Sequence, residues 1–143
     1  MSAARAPSKL DLAWAAGFFD SSGSILFSAG TGKKSRYSHL VVSLIAKDEV
    51  TIELFVRLFG GSVFRRRAPK PILRWRASTR NAERFLYTIV PYLRRKKDAA
   101  RLALISRELI AEVGSRHLPA GVLKRRRILE AAVKKLEHGR RIG

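Results

Sequence analysis

Leu12-Ala13-Trp14-Ala15-Ala16-Gly17-Phe18-Phe19-Asp20-Ser21-Ser22-Gly23-Ser24-Ile25 is an apolar run rich in small residues that ends in a short polar corner. Immediately upstream, Ser8-Lys9-Leu10-Asp11 has the spacing of a capping box, in which a hydroxyl and a carboxylate three residues apart satisfy each other's backbone N–H groups. Together they predict a helix that carries Leu12, Trp14, Ala15, Ala16, Phe18 and Phe19 and stops near Ser21-Ser22-Gly23. Ser24 to Ala29 is short, partly β-branched and aromatic, and reads as a strand.

From that corner the chain alternates strand pairs and helices. Gly30-Thr31-Gly32-Lys33-Lys34 reads as a loop; it lacks the spacing of a phosphate-cradling P-loop. Tyr37 to Ala46 has Leu40, Val42, Leu44 and Ala46 on one parity, the pattern of a half-buried strand. Helical spacing returns at Val50, Leu54, Val56 and Leu58 and is ended by Gly60-Gly61. Two strands, about Ser62 to Arg67 and Ile72 to Ala77, flank the turn Ala68-Pro69-Lys70-Pro71. Helices are expected from about Thr79 to Val90, from Lys97 to Val113, and from Pro119 to His138, where Val122, Leu129, Val133 and Leu136 form one stripe. Helix, two strands, helix, two strands, helix implies an α+β layer: an antiparallel sheet with helices on one side. The boundaries fall at an N-terminal extension over 1–7, one domain over 8–114, and a basic C-terminal helical extension over 115–143.

The 143 residues suit a single domain, and at 46% apolar they can build a core. Thirty Lys+Arg against 11 Asp+Glu give a formal charge of +19, spread along the chain, which points to a polyanionic partner and above all to nucleic acid. There is no cysteine, which excludes disulfides, thiolate metal sites and a Cys nucleophile. No run approaches the roughly 20 apolar residues of a membrane span, and the first ten residues do not resemble a signal peptide. The composition is that of a soluble protein of a reducing compartment, placed in the cytoplasm with the nucleoid. His39, His117 and His138 are too scattered for a local metal site.

The uncovered side of the sheet is the place to look for a ligand. Taking Arg65 and Arg67 with Arg74 and Arg76, period-2 geometry puts four arginines on one face of the second hairpin, with Phe64 opposite. A two-stranded ribbon fits the major groove of B-DNA, where arginine pairs bidentately with guanine or neutralises phosphate. A merely solvated face normally mixes signs, yet no Asp or Glu lies between Glu53 and Glu83. Leu26, Ser28, Tyr37, His39 and Ser43 extend this candidate surface. Lys33, Lys34 and Arg36 in the first loop, with Lys96 and Lys97, are candidate phosphate contacts.

The segment Ala15-Ala16-Gly17-Phe18-Phe19-Asp20-Ser21-Ser22-Gly23 resembles the signature helix of the LAGLIDADG homing endonuclease family. Trp75, Phe85-Leu86 and Pro91-Tyr92-Leu93 fall in the order seen in its single-motif members, so the resemblance covers about residues 8–112. It implies an αββαββα fold whose four-stranded antiparallel sheet forms a saddle in the DNA major groove, with the extra C-terminal helices added to it. It implies a homodimer through the signature helix, on which Ala13, Ala16, Gly17 and Asp20 are the expected interface positions, and a pseudo-palindromic duplex target.

The same resemblance locates a broken catalytic centre. The last acid of the motif, which holds the divalent ions in active members, corresponds here to Ser22, whose neutral hydroxyl is a poor substitute for a carboxylate on Mg²⁺. Asp20 corresponds to the motif's first, mainly structural acid. The position of the water-organising glutamine corresponds to Ala46, and Lys96 corresponds to the basic residue that assists catalysis. No cofactor is therefore expected, and Mg²⁺ only if the chain is a nuclease. The leading expectation is a sequence-specific duplex-DNA-binding protein without nuclease activity, serving transcription or recombination in a phage or mobile element. The alternatives are a divergent or partner-dependent endonuclease, and an RNA-binding maturase that assists intron splicing.

Overall fold

The computed structural model describes residues 6–29, 38–113 and 119–139. The first helix, α1 (Lys9–Ser22), opens with the expected capping box: Ser8 Oγ accepts the Asp11 N–H and Asp11 Oδ2 accepts the Ser8 N–H, each at 3.1 Å. It ends at Gly23, where a Cβ would lie 2.2 Å from the Phe19 ring. A glycine therefore lets the chain turn from helix into strand directly against that ring.

The strands are β1 (Gly23–Ala29), β2 (Ser38–Ala46), β3 (Ser62–Arg66) and β4 (Ile72–Ser78). They form one antiparallel sheet in the order β1-β2-β4-β3. Helix α2 (Glu49–Phe59) joins the two hairpins. Asp48 caps its start by accepting the Thr51 N–H at 3.0 Å, and Gly60, at φ +75°, closes its end. Next come α3 (Thr79–Ile89), a 3-10 turn over Val90–Tyr92, α4 (Lys97–Val113) and α5 (Ala120–Gly139). The helix expected to reach Val90 stops one residue earlier because Pro91 has no N–H to continue the ladder.

The core lies between the sheet and helices α1 to α4. Leu40, Val42, Leu44 and Ala46 of β2 all face it and are buried, as their parity requires. At its centre is an aromatic cluster in which the Trp75 ring lies 5.1 Å from Phe55 and 4.9 Å from Phe85, with Phe19 5.0 Å from Phe85. The Trp75 indole N–H donates to the Gly60 carbonyl at 2.7 Å, so the largest buried side chain leaves no polar group unmet. Truncating such a residue to alanine costs roughly 3–5 kcal/mol.

Helix α5 packs on α4 and along the outer edge of β1. Val133 is fully buried in the core and Leu136 packs against it. The tail thus covers a sheet edge whose backbone groups would otherwise be open to pairing.

Candidate nucleic-acid interface

Cross-strand partners share a face, so the register lays out the uncovered side row by row. One row runs Ile45, Arg74, Phe64; the next runs Ser24, Ser43, Arg76, Ser62; a third runs Leu26, Val41, Ser78; and Ser28 stands opposite His39. Arg66 pairs with Ile72 at the end of the second hairpin on the same face. No carboxylate lies on this face among the described residues, while it presents Arg66, Arg74 and Arg76. The Arg74 guanidinium lies 6.0 Å from the centre of the Phe64 ring, a cation–π approach that holds it upright on the sheet.

The register corrects one expectation. Arg65 is opposite Leu73 and so faces the helix side, where its guanidinium meets Glu49 of α2 at 2.8 and 3.2 Å. That hydrogen bond holds the Glu49 carboxyl below its usual range and raises Arg65. Arg67 lies beyond the strand. The arginine of β3 on the open face is Arg66, and Phe64, expected to be inside, stands beside it with half its surface exposed. Leu26, Ser28, His39, Ser43, Arg74 and Arg76 lie where the sequence placed them. Lys33, Lys34, Arg36, Tyr37 and His117 lie outside the described residues. Ile45 and Ile72 also belong to this face, by the same period-2 alternation that puts Ser43 and Arg74 there.

On α1 the exposed stripe is Leu10, Ala13, Trp14, Gly17 and Ser21, with Leu10 83% exposed. A Cβ at Gly17 would meet nothing within 4 Å, so the helix backbone is open to close approach there. Ala13 and Gly17, two of the expected interface positions, lie on this exposed stripe. Ala16 and Asp20 lie off it: Ala16 is fully buried in the chain's own core, and Asp20 is only 9% exposed.

The reason Asp20 is buried is its hydrogen bonding. Its two oxygens accept the backbone N–H groups of Arg94 and Lys96, at 2.7 and 3.0 Å, tying the end of α1 to the entry of α4. Ser21 and Ser22 follow, exposed and uncharged. A cleft of about 630 Å³ opens here, bounded by Asp20 to Phe27, Arg95 and Lys96, and by Glu130, Lys134, Glu137 and His138 of α5. It also reaches Ile45, so it joins the end of α1 to the open side of the sheet. The residues present do not suit a divalent ion. Asp20 is committed to two N–H donors, Ser22 brings no charge, and no group of three or more His, Asp or Glu able to hold a metal exists among the described residues.

A helix layer on a four-stranded antiparallel sheet, with a small-residue signature helix ending in an acidic-to-polar corner, defines a LAGLIDADG-type fold. Solved structures share it. Over 94% of this chain and 86% of the other, the chain is similar to the homing endonuclease I-CvuI in complex with its target, with TM-score 0.73 and 21% identity. It is similar to the archaeal intron-encoded homing endonuclease I-Vdi141I complexed with DNA over 89% of this chain and 84% of that one, with TM-score 0.74 and 16% identity. The meganuclease I-SmaMI, bound to uncleaveable DNA, matches 85% of this chain with TM-score 0.68 and 18% identity, but this chain spans only 44% of its length. No protein-family model matches the sequence, and no curated protein matches it. No helix among the described residues is long and apolar enough to cross a membrane.

Proposed function

We propose that this chain is a homodimeric, sequence-specific duplex-DNA-binding protein that derives from a LAGLIDADG homing endonuclease and no longer cuts. Its use is control of transcription or recombination in a phage or mobile element. The observation that carries the reading is the open sheet face, where Arg66, Arg74 and Arg76 stand among serines and apolar side chains with no acid between them. Arginine reads guanine in the major groove, and exposed apolar groups such as Leu26 and Ile45 suit the thymine methyl. The solved proteins of this fold named above are bound to DNA, and two of them match this chain over nearly their whole length, which supports a single-copy unit that pairs with itself. The exposed stripe of α1 offers the surface for that pairing.

The end of α1 supports the reading that cutting is lost. Phosphodiester cleavage by two ions needs carboxylate oxygens there, and this chain offers a hydroxyl at Ser22 and an Asp20 whose two oxygens already accept backbone N–H groups. Selection of bound fragments from random duplex DNA is expected to return a two-fold symmetric site. Incubating that site with the protein and Mg²⁺ or Mn²⁺ should leave it whole; cleavage abolished by EDTA would establish an endonuclease instead. A marked preference for structured RNA over duplex at equal salt would establish the splicing role.

A further inference from the structure

Lys96 stands in the cleft that leads from the end of α1 to the open side of the sheet, but its ammonium already has a partner. Nζ donates to Glu137 Oε2 at 2.7 Å, and the two side chains are only 12% and 13% exposed. The other Glu137 oxygen accepts the Ile25 N–H at 2.7 Å, so this carboxylate is fixed at two points on two different elements. Seven residues earlier, Glu130 accepts the Ser38 hydroxyl and pairs with Arg126, which donates to the Ser38 carbonyl at 3.3 Å. Two turns of α5 therefore grip the start of β1 and the start of β2. Both acids of this basic helix turn inward, while Lys124, Arg125, Arg127 and Lys135 remain exposed.

We infer that Glu137 is an intrachain latch that withholds Lys96 from duplex phosphates, so that α5 silences one cation at the end of α1. The inference rests on the duplex-binding reading above. A pair so far removed from water is little screened by salt. Drawing Lys96 away would leave the Glu137 carboxylate without its counter-charge while the Ile25 N–H still holds it in place. An arriving phosphate would add a second anion beside it. Lys96 stays with Glu137, and the exposed cations of the chain supply the phosphate contacts.

The test compares wild type, Glu137→Gln, Lys96→Met and the double variant, each binding a labelled random-sequence duplex over a salt series. Glutamine keeps an acceptor for the Ile25 N–H and removes only the charge. Freeing Lys96 in Glu137→Gln should steepen the slope of log K against log salt by about 0.9, the signature of one more neutralised phosphate, which is about a threefold greater loss of affinity over a fourfold rise in salt. The double variant should return to the wild-type slope, and Lys96→Met alone should leave that slope unchanged. A shallower slope for Lys96→Met, or an unchanged slope for Glu137→Gln, overturns the latch while the duplex-binding reading stands. If none of the four binds duplex, that reading fails and the latch fails with it. Amine acylation mapped by mass spectrometry gives a second measurement on free, folded protein. Lys96 should react slowly beside the exposed Lys47 and speed up in Glu137→Gln; equal reactivity in wild type overturns the latch.

Discussion

Asp20 acts through structure. Both of its oxygens hold backbone N–H groups at the entry of α4, so replacement by alanine leaves two half-buried donors unmet. Asp20→Ala should cost about 2–4 kcal/mol, read from urea unfolding, and Asp20→Asn should recover part of that through its carbonyl oxygen. Tyr87 offers a second measurement at this scale. Its hydroxyl donates to Glu108 at 2.6 Å, and this bond, with burial and the Glu108 charge behind it, pushes its pKa up to about 12. A raised acid favours the protonated fold, so the contribution is fully present below the ordinary tyrosine value of about 10 and is lost as pH rises through about 12. Phenolate absorbance should show a late step from Tyr87, and Tyr87→Phe should remove it.

At the scale of elements, the reassignment within β3 separates two arginines that are neighbours in sequence. Arg74→Ala should lose discrimination between target and mutated sites by about 1–3 kcal/mol in competition binding. Arg65→Ala should leave discrimination unchanged, since its side chain meets Glu49 on the opposite face. The order of strands and helices, the capping box at Ser8 and the buried parity of β2 were all legible in the sequence, because each is written in residues a few positions apart. The face of β3 was not. A strand of five residues has too few apolar positions to fix its side, and Phe64 argued for the interior by its chemistry alone. What decides the matter is the pairing of Phe64 with Arg74 and the reach of Glu49 across 16 residues. Glu137 left no signal either, since its partners Ile25 and Lys96 lie 112 and 41 residues away.

For the whole molecule, the unpartnered stripe of α1 is open to a direct test. The space around Gly17 means that Gly17→Arg should keep the circular dichroism and melting of the fold intact. In sedimentation equilibrium the same variant should run as a monomer where the wild type runs as a dimer, and its affinity for a full symmetric site should fall toward that for a half-site. The small residues expected at this seam divide between two environments, because small size suits both a helix seam and a tight interior. Ala13 and Gly17 lie on the open stripe, whereas Ala16 packs inward against the chain's own core.

Leu10, Ala13, Trp14 and Gly17 lie along one side of one helix, and in the proposed homodimer two copies meeting through this one patch would be related by a dyad. In the proposed dimer on duplex DNA each side chain of the open sheet face would be deployed twice, at places related by the two-fold axis. A change at Arg74 would then alter two positions of the proposed target at once.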